Sequence, residues 1–427
     1  MGFADYYLQK YAYTGQLIQE KPDDVSIILV IPCYKESELL LSLQSIKECE
    51  LPDKAVVEVI IVVNSSDHDN DEVLAINSKT FFEAENWIKE YSAYRLRFYL
   101  LHVKDIPEKH AGVGLARKIG MDEAVRRFNG CNNNKGIIAG FDADAVCNQN
   151  YLIEIEKHFR QYPRTVGCSF YFEHPLSGDK YSEDNYKAIV LYELYLRYYI
   201  EALRFSGFPY AYHTLGSSFA VGVEAYIKQG GMNRRKAGED FYFLHKIIPL
   251  GNYYEINSTC IYPSPRSSDR VPFGTGAAIE KIVKNKDTLY PAFHPDAFND
   301  LKIFFNHIGI LYQISTSQME TWLKKNPESI SRYLMQTDFY NAVENVNRNS
   351  AGKTAFIKRF FNWFNGLQVL QFLNYSHESV FNKIPVEAAT RDLLQKGGKT
   401  DIPYTEIDIL MMMRNIQKKN YFPLTSI

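Results

Sequence analysis

The chain has 427 residues, 46% hydrophobic and 23% charged, with a formal net charge of -2. That length exceeds what one core usually supports, and the near-neutral charge gives no global attraction for polyanions, which excludes nucleic acid as an expected partner. Cys33, Cys49, Cys131, Cys147, Cys168 and Cys260 form no CxxC pair or ligand-like cluster, so neither a zinc site nor a disulfide framework is expected.

Met1 to Tyr13 has no basic segment followed by an apolar run, which predicts no signal peptide. Ile27 to Ile31, a continuous aliphatic run ending at Pro32, predicts a strand buried on both faces, as in a parallel sheet. Leu39, Leu43 and Ile46 then recur at helical spacing, and Val59 to Val63 predicts a second buried strand, ending at turn-forming Asn64, Ser65, Ser66 and Asp67. The alternation continues through a helix around Phe81 to Tyr91, a strand from Leu96 to Val103, a helix from Gly114 to Phe128 and a strand from Gly136 to Phe141. Such a pattern predicts an α/β sandwich whose polar loops at strand C-termini bind ligands.

Further along, Leu152, Ile155 and Phe159 share a helix face, and Ser182 to Phe205 is helical and Tyr-rich. Gly216 to Ala225 looks strand-like, and Phe241, Leu244 and Ile248 mark another helix. A loop rich in Pro, Ser, Arg and Gly runs from Pro263 to Gly276, and everything from Ala277 to Ile427 is helix-patterned. There, Phe356, Phe360, Phe364, Leu367 and Leu370 form one stripe; with Trp363, it reads as core in preference to a membrane-facing surface. The expected organisation is an extension over 1–24, an α/β domain over 25–276 and a helical region over 277–427. The longest apolar runs are strand-sized, so no membrane span is expected, and a reducing cytoplasm, with at most peripheral contact at the inner membrane face, fits the cysteine usage.

Chemistry concentrates at Asp142-Ala143-Asp144, directly after a predicted buried strand. Alternation puts both carboxylates on one side, where like charges repel unless a cation lies beside them. A hard divalent cation carrying phosphate oxygens, Mg²⁺ or Mn²⁺, satisfies that condition. The plain alternative is a surface turn. Gly112-x-Gly114-x-x-Arg117 opens a helix, so the glycines permit close backbone approach while Arg117 faces phosphate or sugar. Gly238-Glu239-Asp240 precedes another helix; acidic residues there serve either helix capping or proton transfer. Arg266 and Arg270, with Gly274 and Gly276 as hinges, suit a lid over an anionic group, the alternative being an exposed linker.

Val25 to Glu36, the strand and loop Ile60 to Asp67, Gly112-x-Gly114-x-x-Arg117, FDADA and Gly238-Glu239-Asp240, in that order, resemble the family-2 glycosyltransferases over roughly Val25 to Gly276. The resemblance implies the GT-A fold, a Rossmann-like sandwich with a nucleotide-binding half and an acceptor-binding half. It implies that Pro32, Tyr34, Glu36 and Asn64 hold base and ribose, although family members often carry Asp where Asn64 stands. It gives Asp144 as the direct metal ligand, with Asp142 on ribose or metal-bound water. The His that often completes the metal site is missing from Tyr262 to Arg270. Asp240 becomes the general base, Glu239 orients the acceptor, and Gly216-Ser217-Ser218 lines the acceptor pocket.

The activity so implied is hexosyl transfer from a nucleoside-diphosphate sugar to a hydroxyl of a saccharide or other acceptor, inverting if Asp240 acts opposite the leaving group. Three alternatives stand beside it: a retaining transferase of the mannosylglycerate-synthase type, a sugar-nucleotide pyrophosphorylase, and a catalytically silent nucleotide-sugar or glycan-binding module.

Overall fold

The computed structural model describes residues 2–13, 15–270, 274–286 and 289–419. They gather into two compact units, one of 2–185, 214–280 and 417–419, the other of 186–213 and 281–416. Part of the expected lid, 271–273, and part of the helical region, 287–288 and 420–427, lie outside the described residues.

α1 (Asp5–Tyr11) precedes an alternating run: β1 (Val25–Cys33), α2 (Leu39–Lys47), β2 (Val56–Ser66), α3 (Asp71–Tyr91), β3 (Leu96–Ile106), α4 (Val113–Gly130) and β4 (Ile137–Gly140). Then come β5 (Val146–Cys147), α5 (Tyr151–Gln161), β6 (Gly167–Phe172), α6 (Glu183–Phe205), β7 (Phe219–Gly222), α7 (Val223–Lys228), α8 (Glu239–Ile247), β8 (Tyr253–Tyr262) and α9 (Thr275–Asn285). All of these belong to the first unit except most of α6 and the end of α9, which fall in the second. The eight strands form one sheet in the order β3-β2-β1-β4-β7-β6-β8-β5. β3, β2, β1 and β4 run parallel, while β7 is antiparallel to both β4 and β6. The α/β class read from the alternating apolar runs is the one found.

Helix α4 shows why charge patterning alone misleads. Arg117, Lys118, Asp122, Glu123 and Arg127 are all buried on it, because it packs along β1 and β2. Gly120 permits that approach: a Cβ there would lie 2.4 Å from Val30 Cγ1. Each charge finds a partner, as buried charges must. Arg127 pairs with Glu58 of β2, Asp122 accepts from the Tyr7 and Tyr226 hydroxyls at 2.6 and 2.9 Å, and Glu123 accepts from the backbone of Leu17 and Ile18. The N-terminal residues are therefore tied to α4 through its acids.

Three local expectations are corrected. β2 continues through Asn64, Ser65 and Ser66, paired with β3 as far as Ser66–Ile106, so the turn begins later than the polar residues suggest. Between Gly216 and Ala225 only Phe219–Gly222 is strand; Val223, Glu224 and Ala225 already belong to α7, with extended Gly222 at its N-cap.

The third correction lies in the second unit, where α10 (Pro295–Asn306), α11 (Thr316–Leu323), α12 (Glu328–Met335), α13 (Phe339–Arg348), α14 (Lys353–Trp363), α15 (Gly366–Ser379), α16 (Val386–Lys396) and α17 (Glu406–Lys419) follow, the end of α17, 417–419, belonging to the first unit. The single aromatic stripe is broken at Asn365, whose side chain accepts from Leu367 and Gln368 amides at 2.9 and 3.3 Å and caps a new helix. Phe356, Phe360 and Phe364 are fully buried, but after the cap the buried positions become Val369, Phe372 and Leu373 in place of Leu367 and Leu370. Trp363 packs on Phe339 and Phe360. No described helix is long and apolar enough to cross a membrane.

Burial also sets one pH dependence. His158 of α5 is buried, meets Thr165 Oγ1 at 3.2 Å through Nε2 and leaves Nδ1 without a partner. Desolvation pushes its pKa down to about 4, so the folded state resists the proton that the unfolded chain takes up near the ordinary 6.5. This stability is present above 6.5 and lost as pH falls toward 4, about 3 kcal/mol by linkage. His158→Phe is expected to flatten the pH dependence of urea unfolding in that window; an unchanged slope would contradict the assignment.

Candidate active site

β1 lies between β2 and β4, so the chain leaves β1 toward one side of the sheet and returns through β4 on the other. Open α/β sheets bind ligands in the crevice at the carboxyl ends of the strands where the order reverses in this way. The loops there are Tyr34 to Glu36 after β1 and Phe141 to Ala145 after β4, held side by side by Phe141 N donating to Val30 O at 3.1 Å. Lys35 turns the first loop with a φ of 50°. The fold thus brings Glu36 beside Asp142 and Asp144.

The loop after β8 closes a first cluster. Arg266 pairs with both oxygens of Glu36 and reaches Asp144 Oδ2 at 2.9 Å. Arg270 meets Glu36 at 3.1 Å, Asp144 at 3.5 Å and the Tyr34 carbonyl at 3.0 Å. Glu36 is 1% exposed, which explains why it takes two guanidinium groups.

A second cluster shares the same loop. Arg117, from the first turns of α4, donates to Asp142 Oδ1 at 2.6 Å and pairs with Glu239 at the start of α8. The sequence reading faced Arg117 toward phosphate or sugar; here its side chain is 2% exposed and its guanidinium is given to two carboxylates of this chain. The guanidinium lies over Gly216, where an added Cβ would stand 2.6 Å from Nη2. Gly114 likewise serves packing: a Cβ there would meet the Arg235 carbonyl at 2.3 Å and Glu239 Cβ at 2.9 Å. Asp240 follows Glu239 and takes the Phe241 amide at 2.7 Å.

Gly216→Ala is therefore expected to push the guanidinium from Asp142 and lower stability by about 1–3 kcal/mol, the usual cost of overpacking. Calorimetry checks this; a melting temperature equal to wild type would mean that the arginine is free to move.

The electrostatics are those of a crowded acidic cleft. Burial raises the pKa of Asp144 to about 6, against the pull of Arg266 and with a further push from Asp142. Burial also raises Glu239 to about 7 despite Arg117, with Asp240 adding to the rise. Asp142 and Asp240 shift upward for the same reason, with Arg117 opposing. Five carboxylates thus face three guanidinium groups, an acidic excess that a divalent cation would offset. Among the described residues no three metal-binding side chains converge. A cation at Asp142 and Asp144 would then need oxygens from a bound ligand and water.

Asn64, two residues before the end of β2, is 2% exposed and its Oδ1 has no hydrogen-bond partner, although its carbonyl accepts from Asn77 at 3.0 Å. An orphaned buried acceptor beside the crevice suits a ligand donor. The Tyr34 hydroxyl is committed to Asp69 at 2.7 Å, while Pro32 is buried within β1, in register with Val62. The structure brings Glu36, Asp142, Asp144, Arg266 and Arg270 together, and Arg117, Glu239 and Asp240 beside them. Sequence reasoning missed the Glu36 bridge to both arginines and the need for glycine at 216. The Gly216-Ser217-Ser218 string was the only local trace of the latter.

No known family model matches the chain, and no curated protein sequence does. Among solved structures, residues 1–349 of S. aureus TarS in complex with UDP-GlcNAc align with a TM-score of 0.40 at 11% identity, covering 80% of this chain and 91% of that one. The mannosyltransferase PcManGT from Pyrobaculum calidifontis, in complex with GDP-Man and Mn²⁺, aligns with a TM-score of 0.33 at 14% identity, covering 97% and 92%. Likenesses this distant leave the assignment to the geometry of the site.

Proposed function

We propose that the chain is a glycosyltransferase that moves a hexose from a nucleoside-diphosphate sugar to an acceptor hydroxyl. The observation that carries this reading is the meeting, at the switch point of the sheet, of Asp142 and Asp144 with two arginines from the loop after β8 and with Asp240 across Arg117. The base and ribose would lie along Tyr34, Glu36 and Asn64, with the Asn64 amide oxygen free to accept from the base. Arg266 and Arg270 can exchange Asp144 for diphosphate, since a guanidinium fork fits both anions.

Asp144, with Asp142, would hold Mg²⁺ or Mn²⁺, which when bound supplies positive charge to the departing diphosphate. Glu239 is locked to Arg117 and 3% exposed, so its role is to position α8 and its neighbour. Asp240, partly exposed, takes the acceptor proton as the hydroxyl attacks the anomeric carbon. Burial raises its basicity toward neutral pH. Attack on the face opposite diphosphate inverts the anomeric centre.

A thermal-shift panel of UDP, GDP, CMP and dTDP with Mn²⁺ or EDTA tests the donor half. One nucleoside diphosphate is expected to stabilise wild type only with metal, and to lose that effect in Asp144→Asn. No metal-dependent stabilisation by any nucleotide would sink the reading.

A further inference from the structure

The N-terminal residues build something that the transfer reading does not use. Tyr7 and the backbone of Tyr13 bind Asp122 of α4, at 2.6 and 3.2 Å. A turn at Gly230 and Gly231, with φ of 74° and 73°, brings the backbone against the Tyr7 hydroxyl: a Cβ at Gly231 would lie 2.0 Å from it. Between this strap and that turn lies a cavity of about 480 Å³, lined by Lys10, Tyr11, Tyr13, Lys118, Asn233 and Arg234 among others. Its volume is in the range of small-ligand sites.

No carboxylate lines this cavity. Lys118 is 4% exposed and spends its charge on Asp122 at 3.0 Å. The other two cations are different. Lys10 gives its ammonium to the Tyr6 hydroxyl at 2.9 Å and lies over the rings of Tyr6 and Tyr11. Arg234 lies 5.3 Å from the centre of the Tyr13 ring. Neither has an ion-pair partner among the described residues, so both present positive charge beside aromatic faces. A guanidinium fork and an ammonium select an anion, and tyrosine rings with polar tips suit a sugar ring.

We propose that this cavity is a binding site for an anionic saccharide, a sugar carrying a phosphate or carboxylate group. It shares no residue with the Asp142, Asp144 and Asp240 clusters, so it stands whether or not the transferase reading does.

Calorimetric titration of the full chain with glucose 6-phosphate, glucuronate, glucose and inorganic phosphate tests it, alongside Lys10→Gln/Arg234→Gln. Both side chains are exposed and make no ion pair among the described residues, so the double variant is expected to melt as wild type does. At least one of the two anionic sugars should bind tenfold or more tightly than glucose or phosphate alone, and lose at least tenfold in the double variant, as for a charged hydrogen bond removed. Which of the two binds separates phosphate from carboxylate recognition. Anionic sugars that bind no better than glucose or free phosphate, or equally to the double variant, would overturn the proposal.

Discussion

Asp240→Asn is expected to lower turnover by about 10²- to 10⁴-fold, the range in which a positioned base contributes, while nucleotide binding stays within about twofold of wild type. Asp240 is held by the Phe241 amide and is partly exposed, whereas Glu239 beside it is consumed by Arg117. The substitution keeps size and shape and removes only the proton acceptor. Steady-state kinetics with a nucleotide-release readout would check it; an intact rate would move the base elsewhere, and a matching loss of nucleotide affinity would make Asp240 a binding residue.

Arg117→Met is expected to have the largest effect on stability. The arginine is the shared counter-charge of Asp142 and Glu239, and removing one partner of a buried pair costs about 3–5 kcal/mol. The sign with pH is distinctive. Glu239 sits at about 7 when folded, above its ordinary 4.5, so its favourable contribution is present below 4.5 and is lost as pH rises through 7. Without Arg117 the carboxylates resist ionisation further, and the variant should regain more stability than wild type between pH 7 and pH 5. Denaturant unfolding at the two pH values measures this; a larger deficit at pH 5 would contradict the charge account.

What the sequence revealed was local. β1 and β2 were legible because an unbroken aliphatic run of strand length is favourable only where both faces are covered, as in the middle of a parallel sheet. Asp142 and Asp144 were legible because two carboxylates follow such a run. The partners were hidden by distance: Arg266 meets Glu36 across 230 positions, and only the sheet order determines that their loops share an edge. Helix α4 itself was legible, but the burial of its charges was hidden for another reason, since they look like a solvated face until Glu58, Tyr7 and Glu239 are placed against them. The broken aromatic stripe turned on a single side chain, Asn365, whose capping bonds reset the helical phase.

The most direct measurement is ³¹P NMR of UDP-hexoses and GDP-hexoses incubated with the protein, Mg²⁺ and a mixture of free saccharides. The account predicts release of UDP or GDP from one donor, slow with water and faster with an accepted saccharide, with the saccharide-dependent rate lowered by about 10²- to 10⁴-fold in Asp240→Asn. Release of pyrophosphate, or no cleavage of any donor beyond that of Asp240→Asn, would contradict it.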